Sequence, residues 1–81
     1  MFIYIGNELV VESNRIIAIL DYALTESSRR LNEVIDKHVQ LEKVYGSETD
    51  AKAIIITMDA IYYSPFSTIT LKNRDEIYET F

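Results

Sequence analysis

The 81-residue chain carries eight Lys and Arg against thirteen Asp and Glu, and its net charge of −5 argues against broad, nonspecific attraction to nucleic acid or anionic membranes. The absence of cysteine excludes disulfides, thiolate catalysis and cysteine metal sites, and it suits a reducing compartment. With 48% hydrophobic and 26% charged residues the composition is that of a folded chain, and residues 1–81 are short enough to form a single domain.

The opening stretch MFIYIGNELVV has neither a basic leader nor a small-residue cleavage site. No apolar run in the sequence approaches the ~20 residues of a membrane-spanning helix. We therefore expect a cytoplasmic protein that has no membrane partner.

Three strands are predicted in the first quarter of the chain. Phe2 to Ile5 and Leu9 to Val11 are β-rich runs, and the Gly-Asn-Glu segment at residues 6–8 suits the positive φ of a tight hairpin turn. After residues 13–15, the apolar run Ile16 to Leu20 has the length and composition of a strand that is covered on both faces.

The hydrophobic period changes at Thr25 and predicts one amphipathic helix from about Thr25 to Gln40, with Thr25 or Ser27 as its N-cap. Apolar residues recur at the spacing of one helix face, namely Leu31, Val34, Ile35, His38 and Val39. On the other face, acids precede bases by three or four residues, as Glu26 precedes Arg29 and Arg30 and as Glu33 precedes Lys37. This order predicts ion pairs along a solvated helix face.

The second half of the chain predicts a short strand at Leu41 to Tyr45, the loop YGSETDAK, and a second hairpin. The hairpin joins Lys52 to Thr57, which is rich in β-branched residues, to the IYYS run through a turn at residues 58–60. Pro65 ends the last strand, because proline cannot donate to a sheet, and Ser67 caps a short helix through Leu71 to Arg74. Residues 75–81 are a C-terminal extension.

These elements predict an α+β fold: a mostly antiparallel sheet, built from two hairpins plus one more strand, with one amphipathic helix on one face and a short C-terminal helix. The other sheet face is left for a further contact. Aromatic and apolar residues of the strands and of the tail are the candidates for contact between subunits, namely Tyr4, Tyr62, Tyr63, Ile77, Tyr78 and Phe81.

Residues with chemical potential give no catalytic grouping. His38 lies on the apolar helix stripe without a second histidine, which favours a hydrogen-bonded boundary residue over a metal ligand or a base. Ser27, Ser28 and Ser64 lack a neighbouring base in the sequence, and neither Gly6 nor Gly46 belongs to a phosphate-binding loop. We expect no enzyme activity, no metal and no cofactor.

Arg15 stands between two strands, where its guanidinium can form a forked contact with a phosphate or a carboxylate. A surface ion pair with Glu12 or with a neighbouring subunit is the alternative interpretation. For Arg29 and Arg30, a solvated helix face is the simpler interpretation and a basic patch is the alternative.

Three runs of the sequence resemble the bacterial extracellular matrix regulators RemA and RemB, and they are most similar to the RemB-like branch. The runs are the opening IYIGNELVV, the central IIAILD, and IIITMDAIYYSPFSTITLKNR. The most specific part is an SP-x-S-x-x-TLK-x-R pattern, formed here by Ser64, Pro65, Ser67, Thr70, Leu71, Lys72 and Arg74. The resemblance covers about residues 2 to 74.

The resemblance implies a small cytoplasmic regulator of transcription. Members of the RemA branch are ring-forming activators that bind DNA through arginines and promote the expression of biofilm matrix genes. This chain keeps the Asn14-Arg15 pair and the Tyr45-Gly46 pair of that branch, but Ser47 and Glu48 stand where RemA-like members have two arginines.

Two hypotheses follow. In the first, the chain is a non-enzymatic homo-oligomer, such as a ring, that regulates biofilm matrix genes and contacts DNA phosphates. In the second, it is an oligomeric adaptor or scaffold that binds another protein and has lost DNA binding, as the acids Glu48 and Asp50 in the loop favour. The candidates for DNA contact under the first hypothesis are Arg15, Asn14, Lys52, Arg29 and Arg30.

Overall fold

A computed structural model describes the backbone of residues 1–79 and the side chains of residues 1–73. In this part of the chain there are six strands, two α-helices and two short 3₁₀ helices. The strands are β1 (Phe2–Gly6), β2 (Leu9–Glu12), β3 (Ile16–Asp21), β4 (Val44–Tyr45), β5 (Ala53–Thr57) and β6 (Ile61–Ser64), and the helices are α1 (Arg29–Gln40) and α2 (Thr68–Glu79).

The strands form two sheets rather than one. Strands β1 and β2 make a two-stranded antiparallel hairpin, and the other four form a sheet in the order β3-β5-β6-β4. Within that sheet β5 pairs antiparallel with both β3 and β6, while the short β4 pairs parallel with β6. The predicted α+β class with mostly antiparallel pairing is therefore confirmed.

Helix α1 begins four residues later than the period change in the sequence predicts. Tyr22–Glu26 forms a 3₁₀ helix, inside which the Thr25 hydroxyl donates to the Tyr22 carbonyl at 2.8 Å. The N-cap is Ser28, whose Oγ accepts the Leu31 N–H at 3.1 Å. The expectation of Thr25 or Ser27 as N-cap is wrong, because Thr25 uses its hydroxyl in the preceding turn.

Helix α1 covers one face of the four-stranded sheet. Leu31 and Ile35 are buried against Ile54, Ile61 and Tyr63 of the central strands. Burying an aliphatic side chain of this size stabilises the fold by about 1.5–3 kcal/mol. The predicted apolar stripe is thus the packing face of α1, although Val39 at its end is 54% exposed.

The opposite sheet face is also covered, contrary to the expectation that it is left open. Ile3, Ile5 and Val11 of the β1–β2 hairpin pack together with Ile55 of the sheet and Leu71 of α2. The hairpin folds back onto the sheet because its buried side chains alternate along β1, as the period of a half-buried strand requires.

Strand β3 lies at an edge and is not covered on both faces as predicted. Its register with β5 shifts between Ile16 and Ala18, and Ile17 at this irregularity is 66% exposed. An extra residue in a strand turns a side chain out of the regular alternation, which explains how an isoleucine inside an apolar run reaches the surface.

Helix α2 begins where the sequence predicts and is longer than predicted. The Ser67 Oγ accepts the Thr70 N–H at 3.2 Å, which confirms Ser67 as the N-cap. The helix continues to Glu79 and so includes most of the expected C-terminal extension. The side chains of Ile77 and Tyr78, and Phe81 altogether, lie outside the described residues.

Candidate functional site

Arg15 ends a short 3₁₀ helix, Ser13–Arg15, that leads directly into β3. Its Nη2 lies 3.2 Å from Oδ2 of Asp59, and the two side chains are 50% and 64% exposed. This is the one ion pair among the described side chains. The ion pair with Glu12, one of the alternatives for Arg15, is not formed, because the antiparallel pairing of β3 with β5 brings the residue before β3 next to the turn after β5.

The turn that carries Asp59 is fixed by Thr57, a polar residue that is only 4% exposed. Thr57 Oγ1 accepts the Ala60 N–H at 3.1 Å and lies 3.0 Å from the Ala60 carbonyl oxygen. The same hydroxyl lies 3.3 Å from Oδ1 of Asp59. The Asp59 carboxylate is therefore positioned by its own turn as well as by Arg15.

Two tyrosines lie beside this ion pair. The rings of Tyr45 and Tyr62 stack across β4 and β6, with centroids 5.3 Å apart and planes 26° apart. Partial burial raises the pKa of Tyr62 above its usual value of 10.0; the Asp59 carboxylate and Tyr45 raise it further, and the Arg15 guanidinium opposes the shift. Arg15, Asp59, Tyr62 and Tyr45 form one mixed surface, which we call the Arg15 surface.

Lys52 lies at the other end of the four-stranded sheet from Arg15. Its backbone carbonyl accepts the Tyr22 N–H at 3.0 Å, just beyond the far end of β3. From Lys52 to Thr57 the strand advances by roughly 17 Å, at about 3.4 Å per residue. A single chain therefore does not bring these two predicted DNA contacts together.

The acidic loop between β4 and β5 also lies at the Lys52 end. The Tyr22 hydroxyl donates to Oε2 of Glu48 at 2.7 Å. This hydrogen bond is the first cause of the raised pKa of Tyr22, followed by desolvation and by the charge of Glu48. Glu48 thus anchors the loop to the segment that joins β3 to α1.

Gly46 allows this loop to start close to β6. Its φ is +93°, and a Cβ built there would lie 2.4 Å from the backbone oxygen of Tyr63. A side chain at this position requires both a left-handed backbone and a shift of the strand, so only glycine fits.

Arg29 and Arg30 are exposed in the first turn of α1, which starts on the side of the Lys52 end. The expected ion pairs of these arginines with Glu26, and of Lys37 with Glu33, are not formed within the described part of the chain. Asn14 is exposed beside Arg15. The five predicted DNA contacts are therefore divided between two ends of the molecule.

The predicted interface tyrosines have different environments. Tyr63 is 5% exposed and contacts Tyr22 edge-on beneath α1, so the expectation that its ring is at the surface is wrong. Tyr4 is 40% exposed and lies edge-on to Phe66, with ring centroids 5.8 Å apart. Tyr62 is half-buried in the stack with Tyr45.

The residues weighed for catalysis have structural contacts. His38 Nδ1 lies 2.8 Å from the Val34 carbonyl oxygen one turn earlier, as expected for a hydrogen-bonded boundary histidine. The Ser64 hydroxyl donates to the Ile5 carbonyl at 2.6 Å and joins the two sheets.

The described residues contain neither a metal-binding cluster nor a helix that could span a membrane. No three histidine or acidic side chains there are grouped as a metal ion requires. None of the helices in that part of the chain has the length and apolar composition to cross a membrane.

Comparison with known proteins agrees with the sequence resemblance. The family described as RemA-like, extracellular matrix regulatory protein A-like, matches residues 2–74. Extracellular matrix regulatory protein B of Bacillus subtilis (strain 168) is 36% identical over 76 residues, which cover 91% of this chain and 89% of that protein. The chain belongs to the RemA-like family. Its similarity to protein B makes it a RemB-like member.

The most specific segment of this RemB-like chain is explained by packing. Ser64 joins the two sheets, Ser67 caps α2, and Leu71 is 1% exposed in the core. A family pattern built from such residues identifies the fold and does not by itself show what the surface binds.

Sequence reasoning missed Asp59 and Tyr45 as members of the Arg15 surface. Asp59 follows β5 and Arg15 precedes β3, so the antiparallel pairing of these two strands, for which the sequence carries no local signal, is what brings them together. Tyr45 meets Tyr62 through the parallel pairing of β4 with β6, for which the sequence carries no local signal.

Proposed function

We propose that this RemB-like chain is a non-enzymatic, cytoplasmic homo-oligomer that regulates extracellular matrix gene expression and contacts DNA phosphates through Arg15. The name of the 36% identical Bacillus subtilis protein supports the regulatory role. The observation that carries the DNA contact is the half-exposed guanidinium of Arg15 on a rigid turn, beside the aromatic rings of the Arg15 surface.

The local geometry suits a phosphate contact. The Ser13 N–H donates to the Met1 carbonyl at 2.8 Å, and this bond ties the turn before Arg15 to the start of β1. A fixed backbone places the guanidinium in one region of space, and guanidinium groups bind phosphate oxygens in a forked geometry. Asn14 at the same turn is a second donor within reach of the same phosphate backbone.

Assembly is needed because one arginine per chain binds a polyanion weakly. The outward face of the β1–β2 hairpin is largely apolar, since Phe2 and Val10 are 61% and 58% exposed and Val10 is paired with Tyr4, while Glu12 opposite Phe2 lies at its edge. Contact between copies through this face buries apolar area, and the assembly repeats Arg15 along one duplex, which raises affinity through effective concentration. Ile77, Tyr78 and Phe81 remain candidates for the same contact.

A fluorescence-anisotropy titration of duplex DNA at two salt concentrations tests the DNA contact. We expect binding that depends steeply on salt and little on sequence, because phosphate contacts carry no base readout. Arg15→Ala should abolish it, and Lys52→Ala, at the far end of the sheet, should change it much less. Equal binding by Arg15→Ala and the wild type would contradict the assignment of Arg15.

Sedimentation of the same samples tests assembly. The wild type and Arg15→Ala should both sediment as oligomers, and a stable contact between copies should bury at least ~1,000 Å² in total. A 9.4 kDa monomer at micromolar concentration would contradict the proposal. Deletion of residues 75–81 should weaken assembly if the tail takes part in it.

The adaptor role is the second candidate, and the exposed acids favour it. Glu48 and Asp50 are exposed on the loop where RemA-like members have arginines. In addition, Asp59 forms an ion pair with Arg15. An acidic surface repels DNA and suits a basic protein partner. No binding of duplex by the wild type at low salt, together with an intact oligomer, would favour the adaptor.

A further inference from the structure

The guanidinium that the proposed function assigns to DNA forms an ion pair with a carboxylate of the same chain. The contact between Nη2 of Arg15 and Oδ2 of Asp59 is a single hydrogen bond of 3.2 Å in an exposed setting. We propose that Asp59 sets the affinity for DNA, because its carboxylate competes with DNA phosphates for the guanidinium of Arg15. This inference rests on the proposed DNA contact.

Asp59 is held in place independently of Arg15. It lies in the β5–β6 turn, which the buried Thr57 hydroxyl fixes through both polar backbone groups of Ala60. The Thr57 hydroxyl has one proton, which the Ala60 carbonyl at 3.0 Å and Oδ1 of Asp59 at 3.3 Å share, so it is mainly the backbone of the turn that places Asp59. When Arg15 turns toward a phosphate, the turn therefore keeps the carboxylate in place as a competing partner for the guanidinium.

The exchange needs only side-chain rotation. Arg15 belongs to a turn that is tied to β1, and Asp59 belongs to a hairpin between two central strands, so both backbones are fixed. Exposed side chains change rotamer within nanoseconds, so the carboxylate can be replaced by a phosphate without any rearrangement of the fold.

The size of the effect follows from exposure. Exposed ion pairs are weak, so breaking one costs each copy a factor of about five or less in DNA affinity. When several copies contact one duplex the factors multiply, as linked weak contacts do. Asp59 is thus expected to keep the wild-type oligomer in a range of weak binding.

Anisotropy titrations of labelled duplex DNA with four variants test the inference. Asp59→Asn removes the charge and keeps an oxygen for Thr57, so it should bind more tightly by about two- to fivefold per contacting copy. Asp50→Asn is the matched control, because it removes the same charge from an exposed acid at the other end of the sheet. It should change affinity by less than about twofold. Arg15→Ala and the double variant Arg15→Ala/Asp59→Asn should be equally poor binders.

Three outcomes overturn the inference while leaving the DNA contact in place. The first is wild-type affinity in Asp59→Asn. The second is an equal gain in Asp59→Asn and Asp50→Asn, which assigns the effect to net charge. The third is a gain from Asp59→Asn that persists without Arg15. In each of these cases, loss of DNA binding by the single variant Arg15→Ala still supports the proposed function.

A titration with inorganic pyrophosphate decides the inference even if no form binds duplex DNA. The side-chain Nε–H signal of Arg15 in an NMR spectrum reports its contact with the anion directly. We expect Asp59→Asn to bind pyrophosphate about two- to fivefold more tightly than the wild type, and Asp50→Asn to match the wild type. Equal affinity in all three proteins overturns competition by Asp59, whereas absent duplex binding by every form overturns the proposed function.

Discussion

The two ends of the four-stranded sheet each hold a carboxylate in a side-chain contact, but the two contacts differ in kind. At one end Asp59 pairs with Arg15 and neutralises an exposed cation. At the other end Glu48 accepts a hydrogen bond from Tyr22 and anchors the loop between β4 and β5. The Asp59 carboxylate can therefore be replaced without loss of a loop anchor, whereas replacing Glu48 also removes a structural contact.

Because of this difference, a substitution in the loop between β4 and β5 can change stability as well as charge. Replacing Glu48 removes a negative charge and a loop anchor together, so a change in DNA binding and a change in stability are mixed. Asp50 is exposed in the same loop and makes no side-chain hydrogen bond or ion pair among the described residues, so it is the better position for changing charge alone.

The largest expected effect comes from Gly46, at the start of the anchored loop. Gly46→Ala places a Cβ against the Tyr63 backbone oxygen at a positive φ. We expect the free energy of unfolding to fall by about 2–4 kcal/mol, from backbone strain and overpacking together. Urea unfolding followed by circular dichroism at equal protein concentration measures it. Ser47→Ala is the control and should stay within about 1 kcal/mol of the wild type.

Local sequence signals predicted most of the fold and little of the candidate site. The strands, both hairpin turns and the Ser67 cap follow from neighbouring residues, and so does the buried stripe of α1. The Arg15–Asp59 contact joins residues 44 positions apart, and the Tyr22–Glu48 contact joins residues 26 apart. Such contacts depend on which strands pair, and the sequence gives no local signal for the β3–β5 or β4–β6 pairing.

The next effect concerns charge in the loop. Ser47→Arg/Asp50→Arg keeps the Glu48 anchor and adds two long cationic side chains, which extend toward phosphates that the short Asp50 carboxylate does not approach. It should therefore bind duplex DNA more tightly than the wild type at unchanged thermal stability, although removal of the Asp50 charge alone has little effect. The slope of log affinity against log salt should steepen by about 0.9 for each new phosphate contact. Ser47→Arg/Glu48→Arg should also bind more tightly but melt at a lower temperature, because the Tyr22 contact is lost. An unchanged salt slope in both variants would show that the loop does not face DNA.

A smaller effect is expected from the anchor itself. Tyr22→Phe removes the hydroxyl that donates to Glu48 and keeps the ring that contacts Tyr63. We expect the free energy of unfolding to fall by about 0.5–1 kcal/mol, the usual net value of one hydrogen bond. Tyr45→Phe is the matched control, because within residues 1–73 its hydroxyl has no hydrogen-bond partner. Equal stability of the two variants would mean that the loop is held by Gly46 and its backbone alone.

The smallest effect is the dependence of stability on alkaline pH. Hydrogen bonding to Glu48 raises the pKa of Tyr22 above its usual value of 10.0, because loss of the proton breaks the bond and places two negative charges together. Since the unfolded chain releases this proton more easily than the folded chain, the stabilisation is complete below pH 10.0 and is lost as pH rises through the folded pKa. Burial also raises the pKa of Tyr62 and Tyr63, so these two residues contribute to the loss of stability at alkaline pH in every variant. Urea midpoints are measured at about pH 9 and about pH 11. The drop in midpoint between the two pH values should be smaller for Tyr22→Phe than for the wild type, and larger for Tyr45→Phe than for Tyr22→Phe. An equal fall in Tyr22→Phe and the wild type would assign the alkaline loss to the buried tyrosines and leave the Glu48 contact without influence on it.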